Sequence, residues 1–404
     1  TVAGPEVEES FDSVGPETVA KYLFTSGSTG MPKGVINTQK MLCANQQMIA
    51  QTHLSLDPQS PVVIDWLPWN HTFGGNIVIN NALTNGGTLY IDGGKPAPGL
   101  IAQTVENIRL ASPSLYYNVP AGFAALLPFL EEDEQLRGCF FRKLDLIFYA
   151  GAALPQDLWD RLAAVSMQAI GRAVPMVSAW GSTETAPMAA AVHWHIDRAG
   201  VVGLPVPGTE IKMLPNGSKL ELRVRGPNVT PGYLNKPDLT AAAFDDDGFY
   251  KIGDAGYLAD PEDPAQGLGF DGRVAEDFKL TTGTWVNSGN LRLAATTATS
   301  PVLQDVVVAG HDRDYVAIMA WINLEGTRAF LGDYGVDVAE AVQSARLKEH
   351  LIQSLTSYND ANPGSSTRIA RLMLLTEPPA IDANEITDKG YINQRAVLEA
   401  RNTE

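Results

Sequence analysis

Short apolar runs alternate with amphipathic stretches through the first two thirds of this chain. The runs at 62–67 (Val62-Val63-Ile64-Asp65-Trp66-Leu67), 87–91, 115–119 and 144–149 read as strands, and 100–110 and 156–170 read as helices between them. That alternation predicts an α/β domain with largely parallel strands. Between 211 and 227 the pattern changes to single alternation, as in Leu220-Glu221-Leu222-Arg223-Val224-Arg225, which predicts a β-rich subdomain joined to the α/β part. A boundary is expected at 271–273. Residues 1–271 would then form a large domain and 272–404 a small, mobile α+β domain. The latter reads as a hairpin over 306–322, one long helix over 338–355, a turn at Asn362-Pro363-Gly364-Ser365 and a strand over 371–375.

Composition narrows the class without naming it. The 404 residues are 45% hydrophobic and 19% charged, enough for two or three domains with sizeable cores. Lys and Arg number 29 against 46 Asp and Glu, a formal net charge of −17, which argues against a nucleic-acid groove or an anionic membrane surface as partner. No run of about 18 uninterrupted apolar residues occurs, so no membrane span is expected. The first 16 residues are acidic, unlike a leader, and a cytoplasmic location is expected. Cys43 and Cys139 are too few and too far apart for a disulfide framework, and both read as small buried hydrophobes.

Chemistry concentrates in a few runs. Thr25-Ser26-Gly27-Ser28-Thr29-Gly30-Met31-Pro32-Lys33-Gly34 packs hydroxyls, glycines and one lysine into a loop after the strand-like 19–24 and before a helix expected over 37–48. Glycines let backbone N–H groups turn inward as an anion nest, hydroxyls donate further bonds, and lysine adds a mobile charge. The spacing fails the Walker A pattern, because Lys33 is followed by Gly34 where a hydroxyl is required. A second run, Ser178-Ala179-Trp180-Gly181-Ser182-Thr183-Glu184-Thr185, offers an aromatic for a purine, a hydroxyl for a phosphate and a carboxylate for Mg²⁺. The third, Phe249 to Leu258, sets Asp254 in what reads as a glycine-flanked turn, suited to ribose hydroxyls. Gly272-Arg273 and, near the end, Asp388-Lys389-Gly390 complete the set.

In this order and spacing the five runs resemble the adenylate-forming superfamily of acyl-CoA synthetases, peptide-synthetase adenylation domains and luciferases, over nearly the whole chain. Trp69-Asn70-His71-Thr72-Phe73-Gly74 looks like that family's acyl motif, and Tyr149-Ala150-Gly151-Ala152-Ala153-Leu154-Pro155 like the segment along its adenine and acyl pocket. The Gly283-Thr284-Trp285-Val286 run and residues 381–390 look most like the feruloyl-CoA synthetase branch.

The resemblance implies a two-step ligase using ATP, Mg²⁺ and coenzyme A on a small carboxylic acid, an aromatic one in the feruloyl-like case. By carry-over, Thr25, Ser26, Gly27, Ser28, Thr29, Gly30 and Lys33 would hold the β- and γ-phosphates, and Thr183 the α-phosphate. Glu184 would hold Mg²⁺, Trp180 and Gly181 with Gly151, Ala152 and Ala153 the adenine, and Asp254 with Arg273 the ribose. His71, Phe73, Tyr149, Gly151 and Met188 would line the acyl pocket. Lys389 would bridge the substrate carboxylate and the α-phosphate, then leave as the C-terminal domain rotates, with Ala275 at the pivot where the family has Asp or Lys. The resemblance also places a subdomain-sized portion before the phosphate loop. Here the loop begins at Thr25, so that portion is expected to be largely missing, and a second copy or a partner chain is expected over that side. Two other readings remain: a module loading a carrier protein, and a non-catalytic nucleotide-binding remnant.

Overall fold

The computed structural model describes residues 4–25, 32–52, 60–96, 99–151, 154–217, 219–380, 383, 385 and 392–401. Ser26, Gly27, Ser28, Thr29, Gly30, Ala152, Ala153 and Lys389 therefore lie outside the described residues. The chain opens with a helix, Pro5–Asp12, and an antiparallel hairpin of β1 (Val19–Thr25) and β2 (Lys33–Thr38), in which Thr25 stands opposite Lys33. The Ser- and Gly-rich run is thus set between two strands. This corrects the expected strand–loop–helix order: Val35 and Ile36 extend the ladder, and the helix begins only at Gln39.

The strands that follow are β3 (Val62–Asp65), β4 (Thr88–Ile91), β5 (Leu115–Asn118), β6 (Leu146–Ala150), β7 (Met176–Gly181), β8 (Met188–Ala191) and β9 (Val201–Pro205). After them come β10 (Glu210–Asn216), β11 (Lys219–Arg225), β12 (Tyr250–Leu258) and β13 (Leu268–Arg273). Among the described residues these form one eleven-stranded sheet in the order β10-β11-β12-β13-β9-β8-β7-β6-β5-β3-β4. Strands β4, β3, β5, β6 and β7 run parallel, and every pairing beyond β7 is antiparallel. The expected α/β part and β-rich part are therefore two ends of one sheet.

Parity along each strand divides the core. Tyr116, Ile147 and Tyr149 face helices Pro120–Glu132, Glu134–Phe141 and Gln156–Ile170, packing with Phe123, Leu127, Phe140 and Trp159. Tyr117, Phe148 and Val177 face the opposite side with Phe73, Ile77 and Met188. Tyr149 accordingly does not line the acyl cleft. Its ring meets Trp159 edge-on at 5.9 Å, and Phe148, one residue earlier, points to the cleft side.

Asp65, at the carboxyl end of β3, is buried, and burial pushes its carboxyl from 3.8 up to about 8, the Leu67 N–H pulling it down and Asp92 adding to the rise. The folded chain keeps this proton until about pH 8, whereas the unfolded chain releases it near 4. The stability linked to it is therefore complete below about pH 4 and is lost as pH rises through about 8. Asp65→Asn is expected to remove that slope, read as melting temperature against pH from 4 to 9. A slope equal to the wild type's would show that Asp65 does not carry the proton.

The remaining strands are β14 (Phe278–Lys279), β15 (Trp285–Val286), β16 (Leu303–Ala309), β17 (Val316–Ile322) and β18 (Ile369–Leu374). The first two pair with each other; the last three form a separate sheet, with β16–β17 the expected hairpin and β18 parallel to β17. Its core gathers Val306, Val308, Ile318, Leu347 and Leu351. The single helix expected over 338–355 is two, Val338–Gln343 and Ala345–Ala361, because Ser344 leaves helical geometry and its side chain caps the second at Leu347 N. Cys43 is exposed, not buried: helix Gln39–Thr52 buries Met41, Asn45, Gln46, Met48 and Ile49, and position 43 falls on the other face. No described helix is long and apolar enough to cross a membrane.

Candidate active site

The carboxyl ends of β3, β5, β6 and β7 open into one cleft. Its lining includes Leu67, His71, Phe73, Ile77, Val119, Gly151, Trp180, Gly181, Ser182, Thr183 and Met188, around a cavity of about 90 Å³. Crevices at strand carboxyl ends, where chain order reverses across the sheet, are where open α/β sheets hold ligands. Here β4 lies on one side of β3 and β5 on the other, so the reversal falls at the cleft.

One wall is the π-helical turn Phe73–Val78. It needs glycine to pack: a Cβ on Gly75 would stand 2.2 Å from Trp69 O, and one on Gly74 2.6 Å from Pro68 O. Lys21 Nζ donates to Gly75 O (2.9 Å), Gln46 Nε2 to Asn76 O (2.8 Å), and Asn76 Nδ2 to Asn37 Oδ1 (2.8 Å). The turn that follows His71 is thus tied to the β1–β2 hairpin. His71 is fixed by Phe73 N–H, which donates to Nδ1 (3.1 Å).

The opposite wall is β7 and the 3₁₀ turn Thr183–Thr185. Thr185 Oγ1 accepts from Ser182 N (2.9 Å) and donates to Pro187 O, closing a turn so tight that a Cβ on Gly181 would lie 1.8 Å from Pro187 O. This holds Thr183 on the cleft and places Glu184, the next residue, in a buried position behind it. Ser182 Oγ is buried and has no hydrogen-bond partner among the described residues.

Trp180 is buried with Ala190, Leu222 and Val224, and its Nε1–H donates to Asp254 Oδ2 (2.9 Å). Asp254 lies within the continuous strand β12, not in a turn as its flanking glycines suggest. Gly253 at φ +82° produces a bulge, and the ladder shifts register between Asp254 and Gly256. Burial pushes the Asp254 carboxyl up, opposed by Arg273 and the Trp180 bond. Arg273 Nε stands 3.6 Å from Asp254 Oδ1, and the guanidinium is largely exposed.

Lys33 and Glu184 meet through a residue that the sequence reading passed over. Tyr233 Oη donates to Glu184 Oε1 (2.9 Å) and accepts from Lys33 Nζ (3.3 Å); Tyr250 Oη lies 3.4 Å from it. Burial, then the Glu184 charge, raises both phenols well above their ordinary value, so both remain O–H donors. The sequence signal was Thr230-Pro231-Gly232-Tyr233, a breaker run with no periodicity to mark it. Lys389 belongs to the segment whose described ends meet at Glu385: Asn393 N donates to Glu385 O (2.8 Å), and Arg401 forms a two-pronged bond to the buried Glu385 carboxylate (2.7 and 2.9 Å).

The cleft of this α/β fold is apolar on one wall and carries Ser182 and Thr183 on the other, with Glu184 and Lys33 joined through Tyr233 outside its lining. The family profile described as AMP-binding enzyme matches residues 3–234, and the chain belongs to that family. It is 28% identical over 264 residues to the long-chain-fatty-acid–CoA ligase of Escherichia coli O6:H1, covering 59% of this chain and 44% of that protein. To the feruloyl-CoA synthase of an Amycolatopsis species it is 29% identical over 253 residues, 60% and 47% of the two chains. The chain therefore spans about half the length of the curated relatives it matches. The crystal structure of an anthranilate CoA ligase in complex with anthranoyl-AMP shares the fold at TM-score 0.73 and 20% identity, over 96% of this chain and 68% of that one.

Proposed function

We propose that the protein is an AMP-forming acid–thiol ligase, acting on a small carboxylic acid and passing the acyl group to coenzyme A. The observation that carries this is the shared cleft: the acyl-motif residues His71 and Phe73 and the turn bearing Thr183 line the same cavity, with Glu184 and Lys33 joined just behind it. In the first step a carboxylate oxygen attacks the α-phosphorus of ATP, and the bond to pyrophosphate breaks. In the second the thiol sulfur attacks the acyl carbonyl, the bond to AMP breaks, and the thiol proton is released.

The protein's part is to clamp and neutralise charge in line. Thr25 and Lys33, facing each other at the mouth of the hairpin, would flank the β- and γ-phosphates with Ser26, Gly27, Ser28, Thr29 and Gly30 between them. Thr183 would meet the α-phosphate. The unpartnered Ser182 Oγ stands ready for a further acceptor on the nucleotide. Trp180 would back the adenine with Gly151, Gly181, Ala152 and Ala153. Asp254 Oδ1, which accepts no hydrogen bond among the described residues, would take a ribose hydroxyl beside Arg273. Lys389 would bridge the two reacting groups in the first step.

The residues fit Mg²⁺ as the metal. No group of three His, Cys, Asp or Glu occurs among the described residues, and Glu184 stands as one carboxylate bridged to Lys33 through the Tyr233 hydroxyl. One carboxylate completed by substrate phosphates and water is how Mg²⁺ is commonly held. Bound there, it would offset the charge of the leaving pyrophosphate.

For the acid we favour a single aromatic ring of the feruloyl or hydroxybenzoyl type, in keeping with the feruloyl-CoA synthase among the relatives. The cavity of about 90 Å³ is walled by Leu67, Phe73, Ile77, Val119 and Met188. That is smaller than the roughly 150 Å³ apolar cavity that takes benzene, and is far short of a long acyl chain. A panel of ferulate, 4-coumarate, benzoate and fatty acids, scored for the coenzyme A thioester by mass spectrometry, tests this. Aromatic acids are expected to exceed dodecanoate and longer chains by at least about tenfold in kcat/KM. Preference for long chains would remove the aromatic assignment.

A further inference from the structure

Tyr233 is held by backbone as firmly as by its side chain. It bridges Val35, Ile36 N donates to Gly232 O (3.1 Å), Leu234 N donates to Gly34 O (2.8 Å), and Tyr233 N donates to Thr240 Oγ1 (3.0 Å). Three residues earlier Thr230 N donates to Glu184 O (2.8 Å). One short segment, 230–234, therefore fixes Glu184 by its backbone and its carboxylate, and is laddered to the strand that begins with Lys33. The Lys33 ammonium also stands 4.5 Å from the centre of the Tyr233 ring.

We propose that Tyr233 is a positioning residue for the metal carboxylate: its hydroxyl commits Glu184 Oε1 and so fixes the orientation in which the carboxylate would meet Mg²⁺, and it sets Lys33 against the same hydroxyl. The inference rests on the reading of Glu184 as the metal ligand. A neutral phenol suits the task, because it donates without adding a second negative charge beside a site that must attract a cation. Its Lys33 bond aligns the phosphate-loop cation with the carboxylate before nucleotide arrives. Tyr250 Oη, 3.4 Å from the Tyr233 hydroxyl, also interacts with the Glu184 carboxylate, as a weaker second hold beside the 2.9 Å bond that Tyr233 makes.

The test is Mn²⁺ binding, titrated by electron paramagnetic resonance with α,β-methylene-ATP present, on the whole chain. Wild type should bind Mn²⁺ and Glu184→Gln should lose most of it; equal binding by these two would overturn the Glu184 reading itself. Given that difference, Tyr233→Phe is expected to weaken Mn²⁺ about 10- to 100-fold, and Tyr250→Phe by no more than roughly threefold. Thermal melting should stay close to wild type, since the ring and every backbone bond remain. Wild-type Mn²⁺ affinity in Tyr233→Phe, or an equal loss in both tyrosine variants, would overturn the positioning role. Should Tyr233→Phe fail to fold, 3-fluorotyrosine placed at 233 keeps the size and sharpens the donor. Altered Mn²⁺ affinity would then support the role, and unchanged affinity would overturn it.

Discussion

Glu184→Gln is expected to lower acid-dependent ATP–pyrophosphate exchange by about 100-fold or more, the scale of losing a preorganised group aimed at developing charge. Glutamine keeps the shape, and its carbonyl can still accept from the Tyr233 hydroxyl. What it loses is the negative charge that would hold the cation. The loss should therefore show partly as a higher Mg²⁺ requirement, and excess Mg²⁺ should recover some of the rate. Exchange unchanged at every Mg²⁺ concentration would remove Glu184 from the site. A collapse accompanied by a large drop in melting temperature would instead make it a structural carboxylate.

Lys219→Met is expected to destabilise the fold by about 3–5 kcal/mol, the usual cost of leaving one member of a buried ion pair alone. Lys219 Nζ stands 2.5 Å from Asp277 Oδ2, and both side chains are 6% exposed. The same ammonium donates to Asp271 O (2.5 Å), while Asp271 Oδ1 accepts from Asn287 and Asn290. Strand β11 of the large sheet is thereby fastened to the segment that leads into the C-terminal unit. Burial pushes the Asp277 carboxyl up, and Lys219 is the main influence holding it down, so removing the lysine leaves a charge the site disfavours. Replacing both partners, Lys219→Met with Asp277→Leu, should restore most of the loss, because a matched apolar pair needs no counter-charge. Denaturant unfolding of the two singles and the double decides it; a double mutant as unstable as the sum of the singles would show that the two residues act separately.

Much of the fold could be read from apolar runs, and the reasons for the exceptions are local. Strands β3, β5 and β6 announce themselves because both faces are buried, so their residues are apolar almost without interruption. Strand β2 does not: Lys33, Gly34, Asn37 and Thr38 leave only Val35 and Ile36 as apolar signal, and the run reads as the start of a helix. Asp254 looks like a turn residue because glycines flank it, yet Gly253 serves to bulge a strand. Tyr149 reads as a cleft residue from its motif, yet its neighbour Phe148 has that direction, a one-residue difference of parity that hydrophobicity cannot resolve when four successive positions are buried.

The candidate site was legible where chemistry is written in contiguous residues. Thr183, Trp180, His71 and Gly151 line one cleft, and Glu184 is buried next to Thr183. Tyr233 and Tyr250 were not legible. Each arrives from a distant part of the chain, Tyr233 from a segment laddered to β2 and Tyr250 from the start of β12. Sequence names the carboxylate; only packing names what holds it.

The central claim is that this cleft joins ATP to a carboxylic acid. Exchange of labelled pyrophosphate into ATP measures that step alone, without coenzyme A. Exchange should be near background with Mg-ATP and pyrophosphate only, and should rise at least about tenfold on adding a small aromatic acid. Exchange that none of the panel acids stimulates would contradict the assignment.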